Sequence, residues 1–373
     1  DHRTGEVLAS VGSPDHTDTA RQGFVDMTRA MRSPGSTLKP LVYGLAFDQG
    51  LAHPETLIHD GPVSFGRYAP QNFDGIWRGD LRLREALQVS LNIPVIKLTE
   101  ELGPARVMAA LARAGVAAQV PGGKPGLAVS LGGLGVTLEG LTQLYAGLAR
   151  GGTSVQLRHL MDAPPVGGTP ILSDVAAWYL GDILRGIAPP PGAPARQLAF
   201  KTGTSYGHRD AWALGWDGAH VAGVWIGRAD GTPMPATYGA DAAAPVLFEV
   251  FARIKPQMAP LPPPPAQALL LGTAALPQPL QRFQPRGAQA RPETAPVLTF
   301  PPDGAALAGV EDGLSIKLRG GLPPYTLLAD GLPVVTGEYA REFLIPRPGP
   351  GFTQLVLVDA RGHSDRVRVR MLD

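Results

Sequence analysis

The chain has 373 residues, 33 Lys and Arg against 32 Asp and Glu, a net charge of +1 and no cysteine. That length suits one large domain plus a small one; near-neutrality argues against a nucleic-acid footprint; the missing cysteines exclude disulfides and thiolate-bound metals. No apolar run approaches the ~20 residues that span a bilayer, and Asp1-His2-Arg3-Thr4 is unlike a signal peptide.

Residues 1 to about 30 read as strands and a loop that feed a helix. Arg32-Ser33-Pro34-Gly35 is a turn running into a helix start, and Ser36 and Lys39, three apart, fall on one face of that helix. Leu41 to Phe47 is mostly apolar and predicts a buried spine. Leu81 to Val89 predicts a short helix or loop, which Pro94 ends or redirects. Ser90 and Asn92, two apart, face one side of an extended or looped segment. Pro104 to Ala114 predicts a helix with Gly115 as its stop. Leu138 to Arg150 and Val175 to Ile187 predict two more, with a glycine-rich stretch at Val129 to Val136. Leu198-Ala199-Phe200 leads into a strand carrying Lys201. Ala211 to Trp216 and His220 to Ile226 follow as strands, an antiparallel pattern. Phe248 to Ile254 suits a helix closing over that sheet.

From residue 259 to 294 the chain reads as a proline-rich linker; Pro260 to Pro265 favours a semi-rigid spacer, and Leu269-Leu270-Leu271 suits docking on a neighbouring domain. Residues 295 to 373 read as short strands and turns, a small antiparallel sandwich of immunoglobulin type. Arg366, Arg368 and Arg370 on its last strand read as a solvated face. The fold class that follows is α+β: an antiparallel sheet with helices over residues 1–258, then an all-β module.

Three strings carry the chemistry: Ser36-Thr37-Leu38-Lys39, Ser90-Leu91-Asn92 and Lys201-Thr202-Gly203. Taken singly, Ser36 reads as a helix cap, Asn92 as a turn residue and Lys201 as a surface strand lysine. With twelve serines, six lysines and two asparagines in the chain, all three in order arise by chance roughly once in a thousand sequences or less. A serine nucleophile needs an adjacent base, and Lys39 serves only when neutral. Burial and a second cation, Lys201, both lower a lysine pKa. A first-turn serine keeps an unpaired backbone N–H for an oxyanion. The Ser90 hydroxyl can relay a proton and the Asn92 amide can hold a substrate carbonyl. Lys201 with the hydroxyls of Thr202 and Thr204 can bind a carboxylate, and the Thr204 N–H can be a second oxyanion donor. Gly203, without a side chain, lets a substrate backbone approach. Ser205 and Tyr206 extend this substrate-binding set, while Trp212, Trp216 and Trp225 read as sheet core. The eight histidines lack ligand spacing, so no metal or cofactor is expected.

These strings resemble the signatures of the penicillin-interacting acyl-serine enzymes. The segment Arg32 to Pro40, the opening Thr4-Gly5-Glu6-Val7-Leu8-Ala9 and the run Lys201-Thr202-Gly203-Thr204-Ser205-Tyr206-Gly207 are similar to class A penicillin-binding proteins of the 1C type, as is the tail after residue 290. The resemblance implies a penicillin-binding/serine β-lactamase-like fold. Ser36 would be the acylated nucleophile, Lys39 its base, and Ser90 with Asn92 the second motif. Lys201, Thr202 and Thr204 would bind the substrate. It also implies a D,D-transpeptidase that cross-links peptidoglycan stem peptides and is trapped by β-lactams. Such relatives are periplasmic and carry a membrane anchor and a glycosyltransferase domain ahead of this region, so the chain is expected to be part of a longer protein. The tail is expected to position the enzyme or bind a protein or wall polymer. Three other readings stay open: a D,D-carboxypeptidase or slow β-lactamase using water, a β-lactam sensor domain, and an inactive scaffold. Leu91 stands where class A β-lactamases have Asp, and no asparagine follows Asn92, which weighs against the hydrolase.

Overall fold

Pro34 leads into a 3-10 turn, Gly35–Leu38, that runs directly into helix α1, Lys39–Asp48. Ser36 therefore lies in the 3-10 turn and not in the first α-helical turn. Pro40 explains the difference. An α-helix would need its N–H for the Ser36 carbonyl, and proline has none. The Lys39 N–H takes that carbonyl instead. From Lys39 to Phe47 every residue of α1 is buried, as for a helix that is apolar all round.

The computed structural model describes all residues except 66–67, 161–162, 164–166, 255–256, 286–294, 309–312 and 373. Its contacts divide the chain into two units, Asp1–Pro285 and Arg286–Asp373. In the first unit α1 is followed by the ribbon β1, Leu57–Asp60, and β2, Gly79–Arg82, paired antiparallel. Helices α2, Leu83–Gln88, α3, Asn92–Leu102, and α4, Pro104–Arg113, come next. Pro94 lies in the first turn of α3, where a missing N–H costs nothing; it helps open α3, and the Leu81–Val89 segment ends before it, with α2 closing at Gln88. Helices α5, Leu138–Ala149, and α6, Asp174–Leu184, are capped by the hydroxyls of Thr137 and Ser173. The expected opening strand at Thr4–Ala9 reduces to one bridge, Glu6 to Arg158, because Gly5 turns with φ +81° and its N–H bonds back to Asp1.

Strands β3, Ala199–Thr204, β4, Asp210–Trp216, and β5, Val221–Gly227, form an antiparallel sheet in that order, leaving β3 at an edge. Strand alternation gives the sheet two faces. Ala199, Trp212, Leu214 and Trp216 join the core built around α1 and α5. Phe200 and Ala213 pack on the other side against Leu247, Phe248 and Phe251 of α7, Ala244–Ile254. Lys201 and Gly203 pair with Leu214 and Trp212, so they point to the α1 side.

The stretch expected as a semi-rigid spacer, with Leu269-Leu270-Leu271 suited to docking, is fastened to the first unit as far as it is described. Trp178 donates its indole N–H to Pro262 O at 3.1 Å. The Leu269 N–H donates to the Tyr179 hydroxyl at 2.7 Å, and His53 Nε2–H donates to Leu269 O at 2.9 Å. Thr56 Oγ1 donates to Leu280 O, and the Phe283 N–H to Leu57 O on β1. An extended proline-rich segment leaves its carbonyls unpaired, and these side chains take them. The end of the expected linker, 286–294, lies outside the described residues.

Among its described residues the second unit carries eight strands: β6, Val297–Phe300; β7, Ala306–Leu307; β8, Leu314–Arg319; β9, Tyr325–Ala329; β10, Leu332–Glu338; β11, Glu342–Ile345; β12, Gly351–Val358; β13, Ser364–Met371. They form sheets in the orders β10-β9-β12-β13-β7 and β11-β8-β6. Leu314, Ile316, Leu327, Leu355, Leu357, Val367 and Val369 fill the core between them. One pairing, β13 with β7, is parallel, so the module is not wholly antiparallel. Arg366, Arg368 and Arg370 are exposed on β13 as expected. No helix of the described residues is long and apolar enough to cross a membrane.

The Tyr179 hydroxyl both accepts from Leu269 N and donates to Leu269 O at 3.2 Å. Tyr179→Phe is expected to destabilise the first unit by about 1–2 kcal/mol and to speed limited proteolysis within 260–283. Unchanged melting and cleavage would show that the strap does not depend on this pair.

Candidate active site

The turn bearing Ser36 is held from three sides. Trp212 of β4 donates its indole N–H to Ser33 O at 2.9 Å. The Ser33 hydroxyl donates to Gly132 O at 2.7 Å, and the Tyr145 hydroxyl of α5 to Thr37 O at 2.7 Å. The glycine-rich stretch Val129 to Val136 is therefore in contact with this turn through Gly132. Two glycines set the fit against β3. A Cβ on Gly35, whose φ is +53°, would lie 2.5 Å from Thr204 O, and one on Gly203 would lie 2.6 Å from Pro34 O. Gly203 thus serves close packing of β3 on the Ser36 turn, a different use from the expected approach of substrate. Ser36 is partly exposed, and its hydroxyl bonds to none of the described residues.

Lys39 is fully buried one turn further on. Its Nζ donates to Ser90 O at 2.5 Å, Asn92 Oδ1 at 2.8 Å and Leu91 O at 3.1 Å, with Ser90 Oγ at 3.3 Å. Ser90 adopts φ +61°, rare for a residue with a side chain and a mark of functional strain. That conformation turns its carbonyl and hydroxyl to the same amine. Asn92 is the first residue of α3, so Ser90 and Asn92 straddle a loop-to-helix corner and do not share one extended segment. Burial, and next the charge of Lys201, drive the Lys39 pKa well below that of a free lysine. The four oxygens oppose this by holding the ammonium.

Lys201 is 2% exposed. Burial lowers its pKa to about 7. Its Nζ donates to Thr202 O at 3.0 Å, and among the described residues neither it nor Lys39 forms an ion pair.

Two residues that sequence spacing did not point to support the second motif. Asn72 Oδ1 accepts from the N–H groups of Asn92 at 2.9 Å and Ile93 at 3.4 Å, capping α3. Its amide donates to both oxygens of Asp60 at 2.9 Å, and Asp60, wholly buried, also takes the Arg78 N–H at 2.8 Å. Asn92 in turn donates to Gln71 O at 2.8 Å. The only two asparagines of the chain therefore lie on one another. That scarcity was the one available signal.

The rest of the third motif divides. The Thr204 hydroxyl accepts from Gly239 N at 3.1 Å, so it anchors the turn before α7. Thr202 is partly exposed. Ser205 does not face the cleft as expected: it is buried, its hydroxyl donates to Asp210 Oδ2 at 2.7 Å, and the Asp210 N–H returns a bond at 3.0 Å. Asp210 also accepts from the Trp225 indole at 2.9 Å. These bonds close the β3–β4 hairpin and use up Ser205. Tyr206, at the hairpin tip, is fully exposed.

Lys201 has a folded pKa of about 7 against an ordinary 10.5. Folding therefore expels its proton: the cost is complete below pH 7 and fades as pH rises toward 10.5. Lys201→Met is expected to raise the melting temperature at pH 7 by about 3 °C or more, with the gap closing toward pH 10. A gap that does not change with pH would contradict this.

The match to known proteins covers both units. The penicillin binding protein transpeptidase domain matches residues 1–247, and the penicillin-binding protein C-terminus family matches residues 285–369. Penicillin-binding protein 1C of Escherichia coli strain K12 is 44% identical over 255 residues, 67% of this chain and 33% of that protein. Penicillin-binding protein 1B of Vibrio cholerae serotype O1 is 30% identical over 291 residues, 71% of this chain and 36% of that protein. The chain thus spans about a third of the length of these curated relatives. The solved structure of PonA1 from Mycobacterium tuberculosis superposes with a TM-score of 0.58 at 21% identity, covering 74% of this chain and 84% of that one. PonA1 in complex with penicillin V gives 0.52 at 22% identity, covering 64% and 77%. Motifs, site geometry and matched regions agree: the chain belongs to the penicillin-binding protein transpeptidase family, in the 1C-type branch of the class A proteins.

Proposed function

We propose that residues 1–258 catalyse peptidoglycan D,D-transpeptidation through an acyl-Ser36 intermediate on the periplasmic side of the inner membrane. In this reading 259–294 connect them to an accessory module, 295–373, that engages a wall polymer or protein. The observation that carries the reading is Lys39: a buried amine, depressed in pKa, held by Ser90 and Asn92 one turn from an unengaged serine hydroxyl.

The steps follow from these positions. Neutral Lys39 Nζ takes the Ser36 proton as Oγ bonds to the carbonyl carbon of the penultimate D-Ala. The N–H groups of Ser36 and Thr204 receive the oxyanion. Collapse breaks the C–N bond, and the proton passes from Lys39 through Ser90 Oγ, 3.3 Å away, to the departing D-Ala amine. An amine of a second stem peptide then attacks the ester; its proton returns by the same route to Ser36. Lys201, with the Thr202 hydroxyl, holds the terminal carboxylate of the donor, and Asn92 its amide carbonyl. A β-lactam presents the same carbonyl and carboxylate but keeps its leaving amine tethered, so the acyl-enzyme persists. The penicillin V complex of the M. tuberculosis PonA1 supports extending this to β-lactams.

Intact mass after incubation with a panel of β-lactams tests the reading. One adduct of the drug's mass on Ser36, absent in Ser36→Ala, is expected. No adduct with any drug, or one that survives the substitution, would overturn it; rapid loss of the adduct to water would favour a hydrolase. The pH dependence of the second-order acylation constant is a further check. It should rise as Lys39 loses its proton and fall as Lys201 loses its own near pH 7. A bound carboxylate favours charged Lys201, so the alkaline limb at saturating drug should lie higher than the limb for the free enzyme. Coincident limbs would argue against Lys201 as the carboxylate partner.

A further inference from the structure

Three rings from three separate segments meet beside the site. Phe73 lies 5.9 Å from His208 and 5.9 Å from Tyr238, and His208 lies 5.0 Å from Tyr238, all edge to face. Each ring is tied to a different part of the machinery. Phe73 follows Asn72, which holds the backbone of Asn92. His208, at φ +54°, folds the β3–β4 hairpin back through its N–H to Ser205 O. Tyr238 precedes Gly239, whose N–H is on the Thr204 hydroxyl. The cluster thus joins the wall that carries the second motif to the far end of β3.

It is not a buried core. Phe73 is 66% exposed and Tyr238 36%. Edge-to-face pairs contribute about 0.5–1.5 kcal/mol each, little enough for the rings to part around a ligand. The direction of a bound donor tells which ligand. β3 is an edge strand. A donor with its terminal carboxylate at Lys201 and its reacting carbonyl between Ser36 and Thr204 must continue upstream past Thr204, toward His208.

We propose that Phe73, His208 and Tyr238 form an aromatic clasp that receives the residue preceding the reacting D-Ala of the donor, packing on its aliphatic stem and selecting acyl donors with an apolar group there. The proposal rests on the acyl-serine reading above. In a β-lactam the corresponding position is the acylamino side chain. The clasp therefore predicts a preference for benzylpenicillin over 6-aminopenicillanic acid, which has the same ring system and no such group.

The test is the ratio of the second-order acylation constants for these two compounds, measured on the whole chain in the wild type, Phe73→Ala and Tyr238→Ala. Each substitution is expected to lower the ratio about five-fold, the worth of one such ring contact, with the melting temperature held near wild type as a check on folding. Equal losses with both compounds would make the cluster merely structural, and an unchanged ratio would remove it from recognition; either overturns the clasp. Acylation of the wild type by neither compound would instead overturn the acyl-serine reading beneath it.

Discussion

Two lysine amines share one interior, and the organisation of the site follows from that. Lys39 and Lys201 are both buried, and among the described residues no carboxylate pairs with either. A buried unpaired cation is costly, so the protein must either supply oxygens or let a proton go. It does both. Lys39 receives four oxygens from the Ser90–Asn92 corner, whereas Lys201 receives one carbonyl and falls to a pKa of about 7. The asymmetry suits the roles proposed for them, one amine that must shed its proton and one that waits for an anion to keep it.

Holding such a pair requires an environment that cannot relax. The Ser36 turn is wedged between β3 and the segment at Gly132, with the Cα positions of Gly35 and Gly203 where any side chain would strike backbone. The tryptophan of β4 and the tyrosine of α5 complete the grip through their polar tips. The Ser90 corner is fixed in turn by Asn72, and Asn72 by the buried carboxylate of Asp60 at the end of β1. β1 also accepts the end of the proline-rich strap through Leu57 O. The polar groups around Ser36 and Lys39 are thus held by two successive layers of hydrogen bonds, the usual requirement for preorganised electrostatics.

The third motif shows how one short string is divided among tasks. Strand alternation sends Lys201 and Gly203 toward α1 and leaves Thr202 and Thr204 on the other side. Thr204 spends its hydroxyl on the turn before α7 while its carbonyl lies against Gly35. Ser205, adjacent and chemically similar, is consumed in closing the hairpin on Asp210. Reactivity and scaffolding alternate within five residues, because an edge strand that borders a cleft must also be the first strand of a packed sheet.

Local pattern determined a large part of this protein. Helices α4, α5 and α6, strands β3 to β5 and the alternating strands of the second unit were legible because period and turn chemistry are written in neighbouring residues. The three motif strings were legible because their order is improbable by chance. Other features depended on contacts between residues far apart in the chain. Pro40 converts the Ser36 turn to 3-10 geometry, Asn72 caps a helix twenty residues later, and the strap lies down on Trp178 and Tyr179. Ser205 is withdrawn from the cleft, and three rings from separate loops converge beside it. Sequence by itself therefore named the family and brought out the serine and the two amines proposed to carry its chemistry. Only the tertiary structure decided which oxygens surround each amine and which glycines are contacts, because burial and hydrogen-bond partners are properties of the assembled core and not of any one segment.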